Sequence, residues 1–64
     1  MSMKADFDKI VAYIKSNLDD LEPYVHGDER PTDLMDCGYN DGTWNTLIEI
    51  LNKMGVEHKY KQIL

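Results

Sequence analysis

Apolar residues recur along residues 3–21 at the three- and four-residue intervals of an amphipathic helix. The spacing predicts one helix with a single apolar face, and Ser2 is placed to cap its start. Pro23 disfavours helical geometry at the residue before it, so we expect this helix to end at residue 20 or 21. The residues on the predicted face are Met3, Phe7, Ile10, Val11, Ile14, Leu18 and Leu21.

A second apolar pattern predicts another helix, which ends at about residue 54. Gly55 suits the left-handed position after a helix end, and Val56 would then contact Leu51, as in a Schellman motif. The apolar positions of this helix are Trp44, Leu47, Ile48, Leu51 and Met54.

Two interpretations of the start of the second helix are open, because Gly38 and Gly42 lie in its path. In one, a turn at Asn-Asp-Gly precedes a short helix from about residue 43. In the other, which we favour, the helix spans about 33–54 and tolerates both glycines at about 0.5–1 kcal/mol each. The glycines would then allow a close approach by the first helix or by a second subunit. The continuous helix places Leu34, Cys37, Trp44, Ile48 and Leu51 on one stripe.

The remaining segments are a connector and a C-terminal tail. Residues 22–33 are rich in Pro, Gly and Asp, as loops are. Residues 56–64 fit either an extended or a helical tail, and residues 24–26 are the evident pairing segment for an extended one. We therefore expect a single, mainly α domain over residues 1–64, with two amphipathic helices packed as a hairpin, an acidic connector and a short tail.

The small size of the chain bears on its assembly and its setting. A chain of 64 residues buries only about 60% of its unfolded surface, and its single cysteine allows no internal disulfide. We therefore expect a homodimer in a reducing compartment. With no apolar run of about 20 residues and no signal-peptide pattern at the N-terminus, we also expect a soluble, cytoplasmic protein.

The net charge of −5 is concentrated in the middle of the chain. Residues 1–18 and residues 42–64 each carry a net charge of +1, whereas residues 19–41 carry −7. Such a field repels nucleic acids and membranes and attracts basic protein surfaces. We expect neither direct nucleic-acid binding nor membrane binding.

Acidic residues near the end of the first helix oppose the helix dipole. Either Arg30 or a lysine of the tail neutralises them, or they are retained for a partner. Tyr24 and Tyr39 lie within the same acidic region, and exposed aromatic residues within a charged rim are typical of interface hot spots. The predicted partner-binding residues are Asp19, Asp20, Glu22, Tyr24, Asp28, Glu29, Asp33, Asp36 and Tyr39.

Candidate catalytic and metal-binding residues are few. His26, Asp28, Glu29 and His58 match no recognised ligand spacing, and nothing in the sequence organises a triad around Cys37. A calcium loop is excluded, because Gly42 at its sixth position would put Ile48 where a glutamate belongs. We expect no catalysis, no metal and no cofactor.

The leading hypothesis is a non-catalytic acidic protein-binding module, a small inhibitor or adaptor that occupies a basic surface of a larger protein. A nucleic-acid-handling protein is an attractive target, because its groove already accepts dense negative charge. Small acidic helical proteins of this kind are common in phages and other mobile elements. The alternative is a homo-oligomeric assembly protein, in which two hairpins form a four-helix bundle.

Overall fold

The computed structural model describes residues 3–63, which contain two α-helices packed against each other as a hairpin. Helix α1 spans Met3–Val25 and helix α2 spans Leu34–Lys53. Within the described range no strand is present, so the predicted mainly α hairpin is confirmed. The predicted cap at Ser2 lies outside the described residues.

Helix α1 continues past Pro23, so the predicted end at residue 20 or 21 is wrong. Its helical hydrogen bonds run on beyond the proline, from the His26 amide to the Glu22 carbonyl at 2.9 Å. A proline in the last turn removes only one donor, and the additional turn buries Val25 in the core at 2% exposure. That burial offsets the lost hydrogen bond and the unfavourable position of residue 22.

The connector is fixed to both helices by Arg30. Its Nη1 donates to the Val25 carbonyl at 2.7 Å, and both of its terminal nitrogens donate to the Asp41 carboxylate, at 2.9 and 3.1 Å. The hydrogen bond between the two side chains lowers the pKa of Asp41 and raises that of Arg30. Gly27 permits this tight path, because a Cβ there would lie 2.8 Å from the Cα of Pro23.

Helix α2 begins with a side-chain cap and runs through both glycines, as the favoured interpretation predicts. Oδ1 of Asp33 accepts from the amides of Met35 at 2.7 Å and Asp36 at 3.3 Å. The predicted close packing of Gly38 and Gly42 against the first helix is wrong, because a Cβ at either position would meet no atom within 4 Å. Close packing against a second subunit stays a prediction.

The end of α2 is the predicted Schellman motif. Gly55 has a φ of 72°, in the left-handed region that glycine adopts without strain. The Val56 amide donates to the Leu51 carbonyl at 3.1 Å, and the Gly55 amide donates to the Asn52 carbonyl at 3.0 Å. This motif turns the chain back along the hairpin.

The tail, residues 56–63, lies in one groove of the hairpin and does not pair with residues 24–26. Nε1 of Trp44 donates to the Lys61 carbonyl at 2.9 Å. The Asn45 amide group accepts from the Ile63 amide at 2.7 Å and donates to the Ile63 carbonyl at 2.8 Å. Side chains of α2 therefore take the place of the partner strand that an extended segment would otherwise need.

The core lies where the two helices and the tail meet. Leu18 and Leu51 are both 0% exposed, as their positions on the predicted stripes require. Leu34 is an exception on α2, since it is 88% exposed at the start of the helix. The buried cluster is Ile14, Leu18, Val25, Trp44, Ile48 and Leu51.

The two helices are staggered, so each begins beyond the end of the other. Nδ2 of Asn40 donates to the Tyr24 carbonyl at 3.5 Å, which places residue 40 level with residue 24. Lys53, about 20 Å further along α2, then reaches only to about residue 11 of α1. Residues 3–10 extend past α2 by about 12 Å, in keeping with the 44 Å length of the molecule.

Candidate functional site

The hairpin has a second groove between its helices, on the side away from the tail, and this groove is open. A depression of about 230 Å³ lies between the helices and adjoins one of about 430 Å³ on the outer face of α2. Thr43 and Leu47 line both. We call this continuous surface the open groove, and its defining residues are Asp20, Leu21, Tyr24, Tyr39, Thr43 and Leu47.

Two glycines flatten the α2 side of the open groove. Gly38 and Gly42 both line it, and the space where their side chains would stand is empty. Each glycine costs a helix interior about 0.5–1 kcal/mol relative to alanine, and no contact within the hairpin compensates for that cost. The glycines therefore leave the backbone of α2 accessible to another chain.

Large exposed side chains stand beside the glycines. Tyr39 is 76% exposed and Tyr24 is 46% exposed, and both line the open groove. Met35, at 84% exposure, extends the apolar surface toward the start of α2. Aromatic and methionine side chains of this kind are enriched at the centres of protein interfaces.

The predicted acidic site divides into two groups, of which one has structural roles. Asp33 caps α2. Glu22 lies 3.2 Å from Nδ1 of His26, one helical turn later. Asp19 accepts from the Tyr60 hydroxyl at 2.8 Å. These three carboxylates have contacts within the hairpin, and the Asp19–Tyr60 contact could not be predicted from local sequence because the two residues are 41 positions apart.

The other group has no structural partner. Across residues 3–63, no side-chain hydrogen bond or ion pair engages their carboxylates. They lie near the end of α1, in the connector and on the first turn of α2, and Asp20 lines the open groove. The members of this group, which we call the free carboxylates, are Asp20, Asp28, Glu29 and Asp36.

A lysine of the tail lies close to one of the carboxylates at the end of α1. Nζ of Lys59 lies 4.0 Å from Oδ1 of Asp19, so the alternative of a tail lysine is correct for this residue, although the distance is long. Arg30 binds Asp41 instead. Burial, together with the hydrogen bond to Asp19, raises the pKa of Tyr60 to about 12.

The candidate catalytic residues do not come together. His26 is bound to Glu22 on α1, whereas Nε2 of His58 lies 2.6 Å from Oδ1 of Asn52 at the end of α2. Cys37 is buried, and its thiol donates to the carbonyl of residue 31 at 2.9 Å. In the part of the chain that the structure describes, no cluster of three or more His, Cys, Asp or Glu side chains is arranged to hold a metal ion.

Several residues of the open groove were absent from the predicted site. The sequence predicted Leu21 and Leu47 as core residues. They do pack against the core, but each is only half-buried, and their remaining surface forms the floor of the open groove. Thr43 was treated only as the start of a possible short helix. A Gly-x-x-x-Gly spacing followed directly by threonine on a continuous helix is the signal that marks this surface.

Neither helix among the described residues is both long enough and apolar enough to cross a bilayer. Comparisons with protein-family models, with curated proteins and with solved structures found no match for this chain.

Proposed function

We propose that this chain is a non-catalytic protein-binding module, an inhibitor or adaptor, that engages a basic surface of a larger protein through the open groove. The observation that carries the proposal is the combination of an uncovered groove, two exposed tyrosines and carboxylates that have no partner among residues 3–63. Each of these features costs the isolated hairpin stability or leaves apolar surface in water.

The free carboxylates select a basic partner. Asp20 lines the open groove, while Asp28, Glu29 and Asp36 lie at the connector end of the hairpin. Because their charges are not neutralised within the chain, lysine and arginine side chains of a partner can approach them and accelerate association. The basic groove of a nucleic-acid-handling protein offers such a surface, and an acidic hairpin seated there would exclude the nucleic acid.

The apolar floor and the glycines indicate how the partner fits. Two glycines four residues apart on one helix allow a second helix to approach closely, and Tyr24 and Tyr39 would flank it. This is a helix-in-groove arrangement, in which apolar anchors supply affinity and charges supply orientation. The partner element is accordingly a helix that carries Lys and Arg beside its apolar contact residues.

The test begins with affinity capture from a host lysate at low and then moderate salt, followed by binding kinetics with the captured protein. The triple substitution D20N/D28N/D36N should lower the association rate and its salt dependence while the helical content is retained. The triple substitution D6N/E49Q/E57Q removes the same number of charges elsewhere and should have little effect.

Equal effects of the two triple variants would show that only net charge matters, and the open groove would be rejected. Tyr39→Ala supplies a second criterion, because loss of an anchor should act mainly on dissociation. Unchanged dissociation after Tyr39→Ala and Tyr24→Ala would also reject the groove.

A further inference from the structure

A second surface lies at the other end of the molecule, on the part of α1 that extends beyond α2. The apolar stripe of α1 is buried at Ile14 and Leu18, at 7% and 0% exposure. Toward the N-terminus the same stripe is exposed, at 52% for Ile10, 41% for Phe7 and 88% for Met3. This part of the stripe is exposed because α2 ends at Lys53 and the tail turns back toward the connector, so neither packs against residues 3–10.

We propose that this overhang, residues 3–10 of α1, pairs with the overhang of a second copy of the chain to form an antiparallel, two-fold symmetric dimer. In such an isologous contact the same patch serves both subunits. Ile10 of one copy would pack beside Met3 of the other, and the two Phe7 side chains would meet near the two-fold axis, so each stripe would receive the cover that α2 does not provide.

The chain exposes more surface than a compact monomer of its size. The accessible surface is 4934 Å², about 700 Å² more than the roughly 4,200 Å² expected of a folded monomer of 7.4 kDa. The radius of gyration of 13.1 Å likewise exceeds the roughly 10.7 Å expected for this length. Part of this excess is the uncovered face of the overhang, where Met3, Phe7 and Ile10 are exposed.

Charge permits a second copy at this end and opposes one at the acidic end. Residues 3–10 hold two lysines and two aspartates, Lys4, Lys9, Asp6 and Asp8, and are neutral overall. Two overhangs can therefore approach each other without net charge repulsion. The free carboxylates then lie at the two far ends of the dimer, beyond the roughly 8–10 Å over which salt screens charge.

The proposal does not depend on the proposed function, since it uses a different surface. Sedimentation of the full-length chain across the micromolar range should show a monomer–dimer equilibrium. Phe7→Asp with Ile10→Asp should raise the dissociation constant of the dimer by about tenfold or more. The helical content should be retained, because neither side chain belongs to the buried cluster.

Leu34→Asp with Met35→Asp is the matched control, since it places the same charges on exposed apolar residues of the α2 overhang and should leave the dimer intact. If Phe7→Asp with Ile10→Asp unfolds α1, the milder double variant Phe7→Ala with Ile10→Ala should still raise the dissociation constant of the dimer. A monomer at every concentration, or a dimer that survives the α1 substitutions, would overturn the proposal. Assemblies larger than a dimer that are lost with either pair would indicate head-to-tail association and would also overturn it.

Discussion

The phenol oxygen of Tyr60 lies 2.8 Å from Oδ1 of Asp19, so a carboxylate of α1 holds the tail across the groove that the tail fills. The ring of Tyr60 also meets the edge of Trp44, with 5.9 Å between ring centroids. The hydroxyl must stay protonated to donate, and ionisation would set two negative charges side by side. Burial and this hydrogen bond therefore raise the pKa of Tyr60 from 10.0 to about 12.

We predict that the protein loses stability at alkaline pH through Tyr60. Because the folded-state pKa is raised, the contribution of Tyr60 is complete below about pH 10 and is lost as the pH rises toward about 12. Urea unfolding at a series of pH values should show this loss. Tyr60→Phe should be less stable near neutral pH, and its stability should fall less over the alkaline range. Parallel curves for the two proteins would contradict the assignment.

Adjacent carboxylates of α1 should behave differently when each is removed. Asp19→Ala removes the nearer acceptor of the Tyr60 hydroxyl, which keeps only the Lys15 carbonyl at 3.3 Å, and should lower the free energy of unfolding by about 0.5–1.5 kcal/mol. The Asp20 carboxylate has no partner among residues 3–63, so Asp20→Ala should change the free energy of unfolding by at most about 0.5 kcal/mol. Hydrogen exchange at the tail amides should accelerate for Asp19→Ala alone. Similar exchange in both variants would show that the Tyr60 contact does not hold the tail.

The clamp at the connector should make the hairpin sensitive to acid. Arg30 lowers the pKa of Asp41 through their hydrogen bonds, so the stabilisation is complete above the usual value of 3.8 and disappears as the pH falls through the lowered value. The difference in unfolding free energy between the parent and Asp41→Asn should therefore shrink in strong acid. Asp28→Asn, at a free carboxylate outside both helices, should show no such change. A constant difference at every pH would argue against the clamp.

Replacing the glycines of α2 by alanine should raise the stability of the fold and weaken partner binding. Gly38→Ala and Gly42→Ala add a methyl group in empty space and should each stabilise the fold by about 0.4–1 kcal/mol. The same methyl groups narrow the open groove and should weaken partner binding. Gly55→Ala is the contrasting case, because its φ of 72° would strain alanine and lower the melting temperature. Stabilised variants with unchanged binding would remove the glycines from the proposed site.

Truncation in the core should be costly at the two most buried leucines. Leu18→Ala and Leu51→Ala each leave a cavity at a position with 0% exposure and should cost about 2–4 kcal/mol. Ile10→Ala removes a residue from the same stripe as Leu18 but from its exposed part, and should cost much less in the monomer. Melting curves at low concentration provide the comparison. An equal loss at Ile10 would mean that the overhang is packed in the monomer.

The elements were predictable from the sequence because their signals are local. The Schellman stop needs only Gly55 and its neighbours, and the stripe through Leu18 needs only helical periodicity. The end of α1 was not predictable, because the local effect of Pro23 was outweighed by burial of Val25 against the rest of the core. That term depends on contacts with α2, which periodicity alone does not contain.

The same limit applies to the candidate site. Local charge patterns identified the acidic region, and four of its carboxylates have no structural partner. Local charge patterns could not show that Asp19 binds Tyr60, because the two residues are 41 positions apart. Nor could they show that Gly38 and Gly42 turn away from α1, since that depends on which face of α2 packs in the hairpin.

The side chain of Tyr60 is one support of the tail, and the main chain of the tail is held at several further points, which makes the length of the tail important as well as its composition. Trp44 and Asn45 bind the backbone of residues 61 and 63, and Nζ of Lys15 donates to the Glu57 carbonyl at 3.3 Å. A side-chain change at the exposed Lys61 leaves those backbone atoms in place, whereas one residue inserted after Gly55 would shift all of them out of register. Substitution at such an exposed position is therefore compatible with the docked tail, but a change in the number of residues between the turn at Gly55 and the contact at Asn45 is not.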